Sequence, residues 1–178
     1  MNHTEHRRLL GRVRWLVALF VAGLVVSGAT AIPIESEVSW LARITGAHQF
    51  VETPGGTVAP AWAIWLCRVE GALHEMNLKY PFIGYGGDWL AFGHFAIALV
   101  FVGAWRDPVR NRWLFDFGLL ACALVVPFAL VFGGFRGIPL WWRLVDGSFG
   151  VFGAIPLWLA RRHVRRLASL GELKAIQP

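Results

Sequence analysis

Residues 85–111, YGGDWLAFGHFAIALVFVGAWRDPVRN, constrain this chain more than any other stretch. From Trp89 to Trp105 no charge interrupts the run. At ~1.5 Å per residue a helix of that length approaches the ~30 Å hydrocarbon thickness of a bilayer. Tryptophans at its two ends suit the two water–lipid interfaces. Gly86 and Gly87 break what precedes, and Asp88 is a suitable N-cap, its carboxylate accepting from the first unpaired N–H groups. Arg106 closes the run. Asp107-Pro108 then reads as a second N-cap followed by proline at the first helical position, so the next span starts at once and returns antiparallel.

Composition carries the same message to the rest of the chain. Of 178 residues, 56% are hydrophobic, with mean hydropathy +0.53, and they gather in long uncharged runs. A soluble helix would carry a polar face at helical spacing, which these runs lack. The net charge of +6 sits at the ends of the runs, where it reports topology and argues against nucleic-acid binding. Cys67 and Cys122 form no CxxC and no metal-ligand spacing, and a disulfide between them is not expected.

Four spans follow, at about 15–34, 88–105, 113–132 and 143–160. The first has a rival reading as a signal peptide, with Ala29-Thr30-Ala31 as its cleavage site. Its length favours an uncleaved span, as does a small-residue ladder of Gly23, Ser27 and Ala31. Between spans one and two, residues 35–87 form the only sizeable polar region. A short helix is expected over Glu35 to Ile44, a loop over His48 to Ala59, and a second helix over Pro60 to Leu78. Trp62, Trp65, Leu66, Val69 and Leu73 share one face of that second helix, so it should be amphipathic and lie on the membrane surface or cap the bundle. The third span contains Asp116 and Pro127 and ends at Gly133-Gly134, and the fourth carries Asp146. Beyond Arg161, Arg162, Arg165 and Arg166 the tail is expected to fray.

The segments before Trp15, at 106–112 and after Ala160 carry four, three and five Lys/Arg. Both termini are therefore expected in the cytoplasm, with the protein in a plasma (inner) membrane. The expected fold is all-α: one polytopic membrane domain over 1–178, a four-helix transmembrane bundle with short amphipathic helices on its outer face.

Ionisable groups inside such spans need a reason. Asp88, His94, Arg136, Arg143 and Asp146 fall toward the outer ends, and His94 and Asp146 lie at similar depth. His94 shares a face with Ala91 and Ala98; Arg143 and Asp146 share one with Gly147, Gly150 and Ala154. One reading makes these groups structural: Arg143 paired with Asp146, Asp88 capping, His94 bonding a neighbouring helix's carbonyl. The other makes them a polar pocket open to the outer side, with His48, His74 and Glu75 as its lid. A haem or a metal held through His94 stays open within that second reading, although no bis-histidine pair or HExxH spacing supports it. A proton-coupled transporter using Asp88, His94 and Asp146 is the remaining alternative, without the repeat many transporters have. On the inner side Arg106, Asp107, Arg110 and Asp116 are a candidate docking point, with Asp116 expected to pair with Arg112 at i, i+4. His163 reads as a solvated surface residue. The arginine-rich segment around it, ARRHVRR, could bind anionic lipid.

The run YGGDWLAFGHFAIAL, then RDPVRN, then RGIPLWWRLVDGSFG resembles small four-span bacterial integral membrane proteins, over about residues 80–158. The resemblance implies a bacterial plasma membrane and this topology, and it brings no activity, cofactor or site residue. The expected function is therefore that of a non-enzymatic accessory, assembly or binding protein, working in the lipid bilayer against another membrane protein or a second copy of itself. A membrane-embedded enzyme or electron carrier built on Asp88, His94, Arg143 and Asp146 is the alternative.

Overall fold

The computed structural model describes residues 3–52 and 59–176, and all regular structure among them is helical. The order is α1 (His3–Ala31), α2 (Ile34–Thr45), α3 (Ala47–Glu52), α4 (Ala61–Lys79), a 3-10 turn (Pro81–Ile83), α5 (Tyr85–Arg106), α6 (Arg112–Phe135) and α7 (Leu140–Ile176). Three of these, α1, α6 and the stretch through α5, are long and apolar enough to cross a membrane. Large apolar side chains lie exposed along them, among them Leu99, Leu120 and Phe128. An outward surface of this kind belongs in lipid rather than water. The protein is thus a membrane-type helical protein. The fourth expected span lies inside α7, whose apolar part opens on Arg143 and Asp146 and falls short of the same criterion.

The chain divides into two compact units, one of residues 1–24 with 97–178 and one of residues 25–96. In the first, segments of four helices share a core: Leu9, Val13 and Val17 of α1, Phe101 and Ala104 of α5, Leu114, Phe115 and Cys122 of α6, and Leu157, Ala160, Val164 and Leu167 of α7. Spacings of three and four residues put each set on one helix face. α6 and α7 form an antiparallel hairpin, with Gly147 beside Val126, Gly150 against the Cys122 carbonyl, and Leu157 over Gly118. The face of Gly147, Gly150 and Ala154 is therefore packed, as its composition predicts. The connection is closed by Gly137 at φ +71°, a left-handed position that lets the Ile138 N–H reach the Gly133 carbonyl at 2.9 Å.

In the second unit α2, α3 and α4 enclose a smaller core of Val38, Ala42, Ala47, Ala63 and Leu66. Trp62, Val69 and Leu73 pack against it, so the apolar face of α4 is covered by α2 and α3. The apolar face expected of this helix is therefore present, and short neighbouring helices of the same unit take it up. Gly46, at φ +67°, ends α2 and donates to the Ala42 and Arg43 carbonyls. The chain thereby turns straight into α3, where a loop from His48 was expected. Residues 53–58 of that loop lie outside the described residues.

Several helix ends also move. α1 starts within the basic segment, twelve residues ahead of the apolar run at Trp15, and stops at Ala31. Gly86, Gly87 and Asp88 lie inside the first turns of α5, which opens at Tyr85, so Asp88 is a first-turn acid and not the cap. α6 begins at Arg112 rather than Pro108 and runs through Gly133-Gly134 to Phe135. α7 continues to Ile176 where fraying was expected. Helical propagation gains a hydrogen bond per residue once packing has fixed the first turns, which a reading of single punctuating residues misses. Of the expected small-residue ladder, Gly23 faces open space. Its last member, Ala31, lies beside Gly87, and the tightest approach is at Gly28, where an added Cβ would meet Phe95, the Ala91 carbonyl and His94 Cβ at 2.8–3.0 Å.

Candidate functional site

The expected outer residues fall in both units: Asp88 and His94 in residues 25–96, and Arg136, Arg143 and Asp146 in the other. His94 is half-buried beside the buried Ala91. Its Nδ1 lies 2.8 Å from the carbonyl of Leu90, one turn back on its own helix, and not on a neighbour. Asp88 is exposed and, with Tyr85, Trp89 and Phe92, lines a shallow, largely apolar depression.

Arg143 does not pair with Asp146. Its guanidinium donates to the Leu130 carbonyl at 3.0 Å, and its stem fills the space that Gly133 and Gly134 leave open on α6. Without those two glycines the side chain could not lie back on the helix. Its Nε is buried and makes no further hydrogen bond among the described residues. Asp146 is half-buried, and Arg136, at the end of α6, is exposed. Among the described residues, no polar or charged residue is fully buried.

The three expected lid residues are tied to different partners in their own unit. His74 Nδ1 lies 2.8 Å from Glu35 Oε1, and the Asn77 amide donates to the other oxygen of the same carboxylate at 2.5 Å. Asn77, and after it the His74 ring, hold the Glu35 carboxyl below its ordinary value. Glu75 pairs with Lys79 on the solvent side of α4 at 2.6 Å. His48 Nε2 lies 2.8 Å from Glu70 Oε2, and its Nδ1 lies 3.7 Å from the Cys67 sulfur. The histidine and Asn77 contacts pin α2 and α3 to α4.

On the expected inner side, Asp107 accepts from the Arg110 N–H at 3.1 Å and so closes a turn, while Asn111 occupies the cap position of α6. The Asn111 amide donates to the carbonyls of Gly103 and Asp107 at 3.1 and 2.9 Å, which fastens the turn to the end of α5. Asp116 pairs with Arg161 of α7 and not with Arg112. Tertiary pairing wins because the hairpin brings α7 alongside that face of α6. Between the two helices lies a cavity of about 460 Å³ lined by Arg112, Asp116, Arg161, Arg165 and Ser169. Three guanidinium groups and one carboxylate meet there, so the cavity is positive and offers more donors than its own acid can use.

His163 is partly buried rather than solvated, and its Nδ1 has no hydrogen-bond partner among the described residues. Burial, and then the charges of Arg12, Arg166 and Arg162, push its pKa down.

Two groupings went unseen in the sequence, Glu35–His74–Asn77 and His48–Cys67–Glu70. The spacing of His74 and Asn77, and of Cys67 and Glu70, at i, i+3 was the legible half of each. The partner from the preceding helix was not. Among the described residues no three His, Cys, Asp or Glu side chains are placed to hold a metal ion, and both cysteines are free of disulfides. Comparison with protein-family profiles, with characterised protein sequences and with solved structures gives no match to this chain.

Proposed function

We propose that the chain is a four-span protein of a bacterial plasma membrane, with both termini in the cytoplasm, and that it works by binding, as an accessory or assembly protein. The spans are α1, α5, α6 and the first part of α7. For α7 the support is its packing along α6 and the uncharged stretch from Gly147 to Ala160. The orientation follows from the Lys/Arg excess before α1, between α5 and α6, and after Ala160. The resemblance to small four-span bacterial proteins agrees with both.

The observation that carries the binding reading is the arginine-lined cavity between α6 and α7. Arg112, Arg161 and Arg165 outnumber Asp116, and they sit where the apolar stretches of both helices end. A basic pocket between helices at the edge of the hydrocarbon suits a phosphate, which guanidinium groups engage through paired, charge-assisted hydrogen bonds. The ligand we assign is the headgroup of an anionic phospholipid. Partner proteins would then meet the exposed apolar helix faces around it.

Native mass spectrometry in a mild detergent tests this. The protein should retain an anionic phospholipid mass, and Arg112→Gln with Arg165→Gln should lose it, while Arg68→Gln keeps it. A clean unliganded mass, or equal retention by the double variant, would overturn the reading.

A further inference from the structure

α3 is only six residues long, yet it carries His48 to the side of α4 where Cys67 and Glu70 stand one turn apart. The ring is held between them, Nδ1 at 3.7 Å from the Cys67 sulfur and Nε2 at 2.8 Å from Glu70 Oε2. That carboxylate oxygen is shut off from solvent and has no hydrogen bond of good geometry among the described residues, so the nearby ring is its compensating partner. A proton passed from sulfur to ring produces a thiolate beside an imidazolium, and the carboxylate stabilises the cation so formed. Several charged side chains of α2 and α4 are engaged elsewhere or point away. Glu37, Arg43 and Arg68 are exposed and form no ion pair with the ring or the sulfur, while Glu35 is taken up by His74 and Glu75 by Lys79. Cys67 also packs against the small apolar core.

We propose that Cys67 is a nucleophilic thiol, primed by His48 and Glu70, whose substrate is a small hydroperoxide. Acyl transfer would need N–H donors for an oxyanion. Cys67 is the seventh residue of α4, where backbone N–H groups are already used within the helix. Substitution at a peroxide oxygen needs only a thiolate and a proton for the leaving group. The sulfur attacks the terminal peroxide oxygen, the S–O bond forms and the O–O bond breaks. His48 returns the thiol proton to the departing oxygen, giving an alcohol or water. Sulfur is oxidised by two electrons to a sulfenic acid and the peroxide is reduced. A low-molecular-weight thiol then condenses with the sulfenic acid to a mixed disulfide and water, and a second one releases Cys67 by exchange.

The test uses the full chain in detergent micelles, read peptide by peptide so that Cys122 is counted separately. Iodoacetamide should modify Cys67 at a rate that levels off below about pH 7.5, rather than climbing through the ordinary thiol range near 8.5. Hydrogen peroxide should give a trappable sulfenic acid at Cys67, and His48→Gln should slow that oxidation about tenfold at pH 7. An ordinary pH profile in the unaltered protein, which needs no variant to fold, would overturn the proposal. So would an unchanged rate in His48→Gln. A levelled alkylation profile with peroxide oxidation no faster than a free thiol's would overturn the hydroperoxide assignment.

Discussion

The two compact units of this chain are held together by different interactions. Around Phe101 and Phe115, helices meet through apolar side chains seated on glycines, and the Asp116–Arg161 pair lies at the margin. Around Leu66, three shorter helices share a core with three alanines among its five buried residues, and much of their mutual register comes from contacts to carboxylates. The first arrangement suits lipid, where close packing and dispersion must replace the hydrophobic drive between helices. In the second, short helices gain little from their own hydrogen bonds and lean on one another. Changes to shape should therefore injure the first unit most, and changes to charge the second.

The largest expected effect is at Phe101. It is fully buried, and Phe101→Ala should cost about 3–5 kcal/mol through lost contacts and a residual cavity. Hydrogen exchange should then rise across the core segments of α6 and α7 while α2 and α4 keep their protection. Equal loss in both units would break the comparison.

Next is Gly150→Ala. Its new methyl would run into the Cys122 backbone carbonyl, which has no rotamer to escape into. A loss of about 1–3 kcal/mol is expected, measured by unfolding in detergent. Gly23→Ala, facing open space, serves as the neutral control.

Acid should separate the units in two steps. His163 has a lowered pKa in the folded protein, so the unfolded chain takes up its proton first. Its contribution is intact above the ordinary value near 6.5 and declines as pH falls below that, weakening the first unit. Glu35 also has a lowered pKa, so its contribution is present above its ordinary value near 4.5 and is lost as pH falls through the lower folded value. Exchange from α2 and α4 should therefore rise only in that second window, and Glu35→Gln should remove the step. A single acid transition shared by both units would contradict this.

The smallest effect is expected at the ion pair between Asp116 and Arg161. Asp116→Asn should change stability by less than about 1 kcal/mol, since both groups are partly exposed and screened. A larger loss in the same unfolding assay would mean that the pair, and not the packing beneath it, fixes the α6–α7 register.

What the sequence determined by itself was the medium and the rhythm of the chain. Uncharged runs between Trp89 and Trp105, and between Trp113 and Asp116 or beyond it to Phe132, need only composition and length to be read. The faces of Ala91–His94–Ala98 and Gly147–Gly150–Ala154 follow from helical spacing, because periodicity is a local property. Tertiary structure decided the partners. Asp116 had an arginine four residues away on its own helix and took Arg161 on another. Arg143 had Asp146 within a turn and lay back instead on two glycines of α6. Cys67, which has no motif around it, received His48 from a helix nineteen residues earlier. A side chain's partner depends on which helix the fold brings alongside, and helical spacing alone does not specify that neighbour.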